Sequence, residues 1–365
     1  MAKVRFGDIV RDVKINVDRD NNPYENYIAG DHMDSEDLTI HRYGSFATDD
    51  VGPAFTRIFK PGQILYGSRR TYLKKVAVAE FEGICANTTF VFESKDEAVL
   101  DNRLLPFIML SDAFTRWSIA HSKGSTNPYV LFSDLADYEF ELPTIAEQKV
   151  LADKLWAAYR LKESYKKLLA ASQEMVKSQF IEMFGKATER VALSSLCDTF
   201  IDGDWIEAKD QSDSGIRLIQ TGNVGVGVYK DKEDKARYIS EETFTRLNCT
   251  EVFEGDILIS RLPDPVGRAC SIPGGLGKSI TAVDCTIIRL NEKVLPKYFI
   301  SFTNTPDYAM QIKKVLSGTT RLRVSRANLG KIQVPLPSKD EQLRFVEIAD
   351  QADKSEYIND YRRAS

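Results

Sequence analysis

One strand-to-helix junction is written twice in this chain. Leu142-Pro143-Thr144-Ile145-Ala146-Glu147-Gln148 returns 194 residues later as Leu336-Pro337-Ser338-Lys339-Asp340-Glu341-Gln342. In each copy an extended run ends in Leu-Pro and a charged helical pattern begins. The hydroxyl residue after the proline, with Glu three positions on, is the pattern of a capping box, in which side chains satisfy the first free N–H groups of a helix. A chain that repeats such a junction is built from two copies of one unit.

The repeat extends along the chain. Lys3-Val4-Arg5-Phe6-Gly7-Asp8-Ile9 resembles Arg190-Val191-Ala192-Leu193-Ser194-Ser195-Leu196, and Pro61-Gly62-Gln63-Ile64-Leu65 resembles Glu254-Gly255-Asp256-Ile257-Leu258. Ser122-Lys123-Gly124-Ser125-Thr126 resembles Leu316-Ser317-Gly318-Thr319-Thr320. The offset drifts between 187 and 194, as loop insertions would make it, and is too long for a solenoid repeat. Val76–Ala79, Thr88–Phe92, Asp256–Ser260 and Cys285–Leu290 read as strands, and helical stretches follow near Leu104–Ala120 and Pro296–Leu316. Strands clustered before helices indicate an α+β fold in each half.

From Ile145 to Phe184 there is no Pro or Gly for forty residues. Leu151, Leu155, Ala158, Tyr165, Leu169, Val176 and Met183, with Lys162, Ser172 and Gln179 at the positions between, follow three- and four-residue steps, a coiled-coil-like seam with polar interruptions. A helix of that length is roughly 60 Å long and cannot be hidden in one small core. Its natural partner is the terminal helix after Pro337, with a weaker seam at Phe345, Ala349 and Ala352. The expected organisation is a globular domain over 1–143, a central helix over 144–185, a second domain over 186–336 and a terminal helix over 337–365, the helices forming an antiparallel coiled-coil spacer.

Composition excludes some alternatives. The five cysteines (Cys85, Cys197, Cys249, Cys270 and Cys285) include no C-x-x-C pair, so neither zinc fingers nor a disulfide framework is expected. No apolar run reaches membrane-spanning length and the N-terminus lacks a signal-peptide core, which points to the cytoplasm. The net charge of −4 is unlike that of many DNA-binding modules, so local patches must decide that question.

Two non-identical α+β domains, each followed by Leu-Pro-x-x-x-Glu-Gln and a helix, resemble the specificity subunit of type I restriction-modification systems. The resemblance covers essentially the whole chain and is strongest over residues 142–184 and 334–348. It implies that the halves are target-recognition domains reading a bipartite, asymmetric DNA sequence with an unread gap. It further implies that the helices form a spacer docking two methyltransferase subunits, with restriction subunits added for cleavage of unmodified DNA. S-adenosylmethionine would then sit on the methyltransferase partners, ATP and Mg on the restriction partner, and no cofactor on this chain. The second helix stops at Ser365, matching about position 171 of the first, a departure from the family pattern that leaves the strength of the helix pairing and of one methyltransferase contact open.

Candidate DNA contacts follow from charge and turn chemistry. No acidic residue occurs from Tyr308 to Lys339, and the string around Gly318 offers Thr319, Thr320, Arg321, Arg323 and Arg326. Such hydroxyls and guanidinium forks bind phosphates and guanine edges. At the same repeat position the first half carries Lys123, Ser125, Thr126, Asn127 and Tyr129. A second string supplies Ser68, Arg69, Arg70, Lys74 and Lys75, with Arg261, Arg268 and Lys278 in its counterpart. Solvated loops and a charged strand edge that discourages aggregation are the structural alternatives. Thr221-Gly222-Asn223 and Ala29-Gly30-Asp31 are a further pair of candidate turns beside the groove, with ordinary turn chemistry the favoured reading.

Catalysis finds little support. Asn127-Pro128-Tyr129 faintly resembles the Asn-Pro-Pro-Tyr motif of amino-methyltransferases but lacks a proline and is lost in the second half. Gly222, Gly225 and Gly227 do not have the spacing of a nucleotide-binding turn. Glu233-Asp234-Lys235 reads as a charged loop rather than a nuclease triplet. The three histidines, His32, His41 and His121, suggest neither a triad nor a metal centre. The reading is therefore a non-catalytic DNA-specificity subunit. The rivals are a helical adaptor for proteins and an intrinsic adenine methyltransferase.

Overall fold

The computed structural model describes residues 2–18, 21–318 and 321–361. The chain divides into two compact units, Met1–Ser164 and Tyr165–Ser365. Among the described residues no helix is long and apolar enough to cross a membrane.

In the first unit, Ala2–Arg5 pairs antiparallel with Glu139–Leu142, closing the domain on itself. One antiparallel sheet runs Val10–Asp12, Thr89–Ser94, Ile64–Gly67, Val76–Val78. A second runs Gly44–Ser45, Asn26–Ile28, Gly83–Ala86, Phe55–Phe59, with Asn26–Ile28 parallel to Gly83–Ala86. Ile28, Phe59, Leu65, Cys85 and Val91 fill the layer between the sheets. Phe6, Phe92, Phe114 and Leu135 pack the first sheet against the helices Leu105–Leu110, Asp112–Ala120 and Phe132–Ala136.

The second unit repeats this plan. Arg190–Ala192 pairs with Gln333–Pro335, and the main sheet runs Cys197–Asp202, Cys285–Leu290, Ile257–Ser260, Ala269–Ser271. In the smaller sheet Ile216–Ile219 is parallel to Ser279–Thr281. The strands anticipated at Val76, Thr89, Ile257 and Cys285 are all present. Each anticipated helical stretch is broken once, at equivalent positions. Ser111 caps Asp112–Ala120 by accepting from the Phe114 N–H, and Thr305 caps Pro306–Lys314 by accepting from the Tyr308 N–H, both at 3.3 Å. A buried aromatic follows each cap, so the break re-aims the helix and seats Phe114 or Tyr308 in the core.

The repeated junction has the same chemistry in both copies. Thr144 and Ser338 each exchange capping-box bonds with Glu147 and Glu341. Gln148, fully buried, accepts from the Asp101 N–H at 3.0 Å and donates to the Val99 and Pro143 carbonyls at 2.9 Å. Gln342 makes the equivalent set with Leu295, Lys293 and Pro337. Each glutamine thus satisfies three backbone groups that burial would otherwise strand, which ties the helix start to its domain.

The central helix spans Ile145–Phe184 and the terminal helix Lys339–Tyr361. The face of the central helix that packs on the first domain is Gln148, Ala152, Trp156 and Tyr159, not the whole expected seam: Leu151, Ala158 and Leu169 are exposed. Domain packing, with Phe107 against Trp156, claims the aromatic face instead. In the second unit Phe180 and Phe184 share a core with Tyr298, Phe302 and Phe345, the Phe180 and Phe345 rings lying 5.2 Å apart. Val176 and Met183 of the expected seam pack against it.

Candidate nucleic-acid interface

The two basic strings of the first half form one surface. The hairpin of Ile64–Gly67 and Val76–Val78 has residues 68–75 as its tip, and the loop 122–130 lies against it. The Arg70 N–H donates to the Pro128 carbonyl at 2.7 Å and the Val130 N–H to the Ser68 carbonyl at 2.9 Å. Arg70 Nε donates to Asn127 Oδ1 at 3.2 Å. The loop closes on itself through two bonds between Lys123 and Tyr129, with Gly124 at φ 86° making the reversal. Arg69, Arg70, Tyr72, Lys123, Ser125, Thr126 and Tyr129 line this surface, all of them exposed.

Three residues expected to contact DNA are turned to other work. Ser68 is buried and its hydroxyl donates to the Thr88 carbonyl at 2.6 Å. Lys74 lies between Glu36 and Asp112 at 2.9 and 3.0 Å, and these bonds raise its pKa. Lys75 donates to the Gly30 carbonyl. They hold the tip in shape, which leaves Arg69 and Arg70 as its outward cations. Lys123 pairs with Asp134 at 3.0 Å while its side chain stays half exposed.

The second half builds the same surface with different side chains. The hairpin of Ile257–Ser260 and Ala269–Ser271 has residues 261–268 as its tip. Ser317 and Arg323 exchange two bonds of 2.9 Å around Gly318 at φ 101°, and the Val324 N–H donates to the Arg261 carbonyl at 3.3 Å. Arg321, Leu322, Arg323 and Arg326 are exposed. Thr319 and Thr320 lie outside the described residues. Arg261 is not an outward cation: its guanidinium donates to the Val283 carbonyl at 2.6 Å and faces Asp202 at 3.4 Å. Lys278 leaves the group too, bonded to Glu241 at 2.6 Å and lying over the Phe244 ring at 4.0 Å.

The loop 221–229 begins at Thr221-Gly222-Asn223, read from the sequence as a turn. The Gly227 N–H donates to the Ala269 carbonyl at 2.9 Å, and Arg268 reaches the Thr221 and Val224 carbonyls, so this loop flanks the tip. It presents Val226 and Val228 at more than half exposure. Its glycine spacing is the signal in the sequence, and it marks a loop beside the tip, not a nucleotide-binding turn. In Asn127-Pro128-Tyr129 the Tyr129 backbone closes the loop, and the Pro128 carbonyl and Asn127 Oδ1 accept from Arg70. His41, by contrast, lies beside Asp37 and Glu163.

A type I restriction modification DNA specificity domain model matches the chain twice, over residues 13–171 and 186–362. The chain belongs to this family. The two matches coincide with the two copies of the repeat, so each copy carries one domain of this family. The EcoDI specificity subunit of Escherichia coli is 30% identical over 122 residues, covering 33% of this chain and 26% of that protein. The MjaVIII specificity subunit of Methanocaldococcus jannaschii is 21% identical over 290 residues, covering 73% of this chain and 66% of that protein. The matched segments therefore span about a quarter to two thirds of these relatives. The crystal structure of a type I system S subunit from M. genitalium shares the fold, with a TM-score of 0.54 at 13% identity over 100% of this chain and 91% of that one.

Proposed function

We propose that each half reads one part of a bipartite, asymmetric DNA sequence through its hairpin tip and glycine loop. The observation that carries this is the repetition of one backbone scaffold with different outward side chains. Lys123–Tyr129 and Ser317–Arg323 are closed by the same pair of bonds. The first loop then offers Arg69, Arg70, Asn127 and Tyr129, and the second Arg321 and Arg323. A constant clamp with variable readers gives half-sites of different sequence.

The segments 1–143 and 186–336 act as the recognition domains, and the helices of 144–185 and 337–365 as an antiparallel coiled-coil spacer that fixes the unread gap. Two methyltransferase subunits dock on these helices. Val150, Leu161, Leu168 and Met175 of the central helix are exposed, which supports a partner there. The chain supplies aim and no chemistry. S-adenosylmethionine belongs to the methyltransferase subunits, ATP and Mg to the restriction subunits, and the assembly works in the cytoplasm on double-stranded DNA. Mapping methylated adenines in cells with and without this chain tests the reading: one bipartite motif should disappear with it. An unchanged pattern, together with salt-insensitive or absent binding to duplex DNA, would leave the protein-adaptor reading instead.

A further inference from the structure

Asp37, His41 and Glu163 converge where the central helix leaves the first domain. One potential ligand atom from each lies within 4.8 Å of the others. Asp37 is 7% exposed, and its Oδ1 accepts from the Tyr159 hydroxyl at 2.6 Å and from the Thr39 N–H at 3.0 Å. Those two donors fix the carboxylate so that Oδ2 faces His41 Nε2 at 3.3 Å. Glu163 stands one helical turn beyond Tyr159, its side chain 14% exposed.

We propose that these three side chains bind one divalent transition-metal ion of the zinc class, pinning the recognition domain to its helix. The donor set is one imidazole nitrogen and two carboxylate oxygens, which suits zinc or cobalt with water in the remaining position. Two ligands on a tetrahedral ion with bonds of ~2.0–2.1 Å stand ~3.3 Å apart, and the His41–Asp37 pair is already at 3.3 Å. Small rotations of the Glu163 side chain close the remaining spread. The Tyr159 hydroxyl and the Thr39 N–H act as the outer groups that orient a ligating carboxylate. Lys162 contributes only at the rim, with Nζ 4.0 Å from Glu163 Oε1 while it reaches toward the Glu36 carbonyl.

The site joins segments more than 120 residues apart in sequence, beside the aromatic contact that Trp156 and Tyr159 make with the domain. Tyr159 also meets the Leu38 N–H at 3.0 Å and the Thr39 hydroxyl at 2.9 Å. At the repeat offset of 194, Tyr159 and Glu163 fall on Asp353 and Tyr357. The second copy therefore lacks both the ligating glutamate and the tyrosine that orients Asp37. The ion would stiffen one recognition domain and not the other.

The test uses the full-length protein stripped with a chelator and titrated with Co²⁺, read by the visible absorption of the bound ion, and with Zn²⁺, read by melting temperature. One equivalent of Co²⁺ displaceable by Zn²⁺ is expected, with a Zn²⁺-dependent rise in melting temperature. His41→Ala and Glu163→Gln should weaken uptake by about 10-fold or more while each metal-free variant melts like the metal-free parent. No stoichiometric uptake by the parent, or uptake that survives in either folded variant, overturns the assignment.

Discussion

Lys75 and Arg268 stand at the same place in the two hairpins. The Gly67 N–H donates to the Lys75 carbonyl at 3.0 Å and the Ser260 N–H to the Arg268 carbonyl at 2.9 Å. Their side chains turn to the same turn, written Ala29-Gly30-Asp31 in one copy and Thr221-Gly222-Asn223 in the other. Lys75 bonds there to the Gly30 carbonyl. Arg268 spreads over four carbonyls, Thr221, Val224, Leu262 and Pro265, at 2.7 to 2.9 Å. Burial lowers its pKa.

Arg268→Lys should therefore be a severe change, since an ammonium cannot span the carbonyls that a guanidinium fork holds. The expected loss is ~2–3 kcal/mol, seen in urea unfolding followed by the fluorescence of Trp205. Lys75→Ala should cost far less. Equal losses would show that the fork is not what holds the second tip.

Arg321→Ala with Arg323→Ala should weaken DNA binding and flatten its salt dependence, by about 0.9 in the log–log slope for each phosphate contact removed. Arg69→Ala with Arg70→Ala should do the same through the other half-site. Binding measured at several salt concentrations checks both pairs, and an unchanged slope would place the phosphate contacts elsewhere.

Replacing residues 1–143 with the equivalent domain of another such protein should change one half-site and leave the other intact. Sequencing of methylated sites reads the result. A change in both halves at once would contradict independent reading.

Gln342→Ala should destabilise the second unit by ~1–3 kcal/mol, because it removes a fully buried side chain that bonds the Leu295 N–H and the Lys293 and Pro337 carbonyls. Gln148→Ala should cost the first unit a similar amount. Differential scanning calorimetry should show each substitution lowering one transition.

The capping carboxylates set an acid limit. The bond from the Thr144 hydroxyl, then that from its N–H, holds Glu147 below the ordinary value of 4.5, and Ser338 does the same for Glu341. A pKa depressed in the folded state means stabilisation that is complete above the unfolded value and lost as pH falls through the folded one. Melting temperature should thus decline as pH drops below about 4.5, and Glu147→Gln with Glu341→Gln should shrink that part of the decline.

Much of this was legible in the sequence because the repeat is local chemistry. Leu-Pro-x-x-x-Glu-Gln announced a cap, a helix and a duplication, and the helix Ile145–Phe184 follows from forty residues of good helix formers. The loops around Gly124 and Gly318 were found from glycine and hydroxyl residues alone. Which basic residues face outward was not legible, because Lys74, Arg261 and Lys278 are turned inward by Glu36, Asp202 and Glu241, partners distant in sequence. The helix face was misjudged for a related reason: Trp156 and Tyr159 compete with the leucine seam, and only the packed domain decides between them. His41 suggested no metal centre in the sequence because Glu163 lies 122 residues away.

The first and last strands of each domain are partners, Ala2–Arg5 with Glu139–Leu142 and Arg190–Ala192 with Gln333–Pro335. Each domain therefore begins and ends at neighbouring points, like a bead whose thread enters and leaves through one hole. Genetic recombination at two seams, the strand start and the Leu-Pro junction, can replace a whole bead while the flanking helices keep their register. New target sequences can then arise in a single exchange rather than by accumulated point changes.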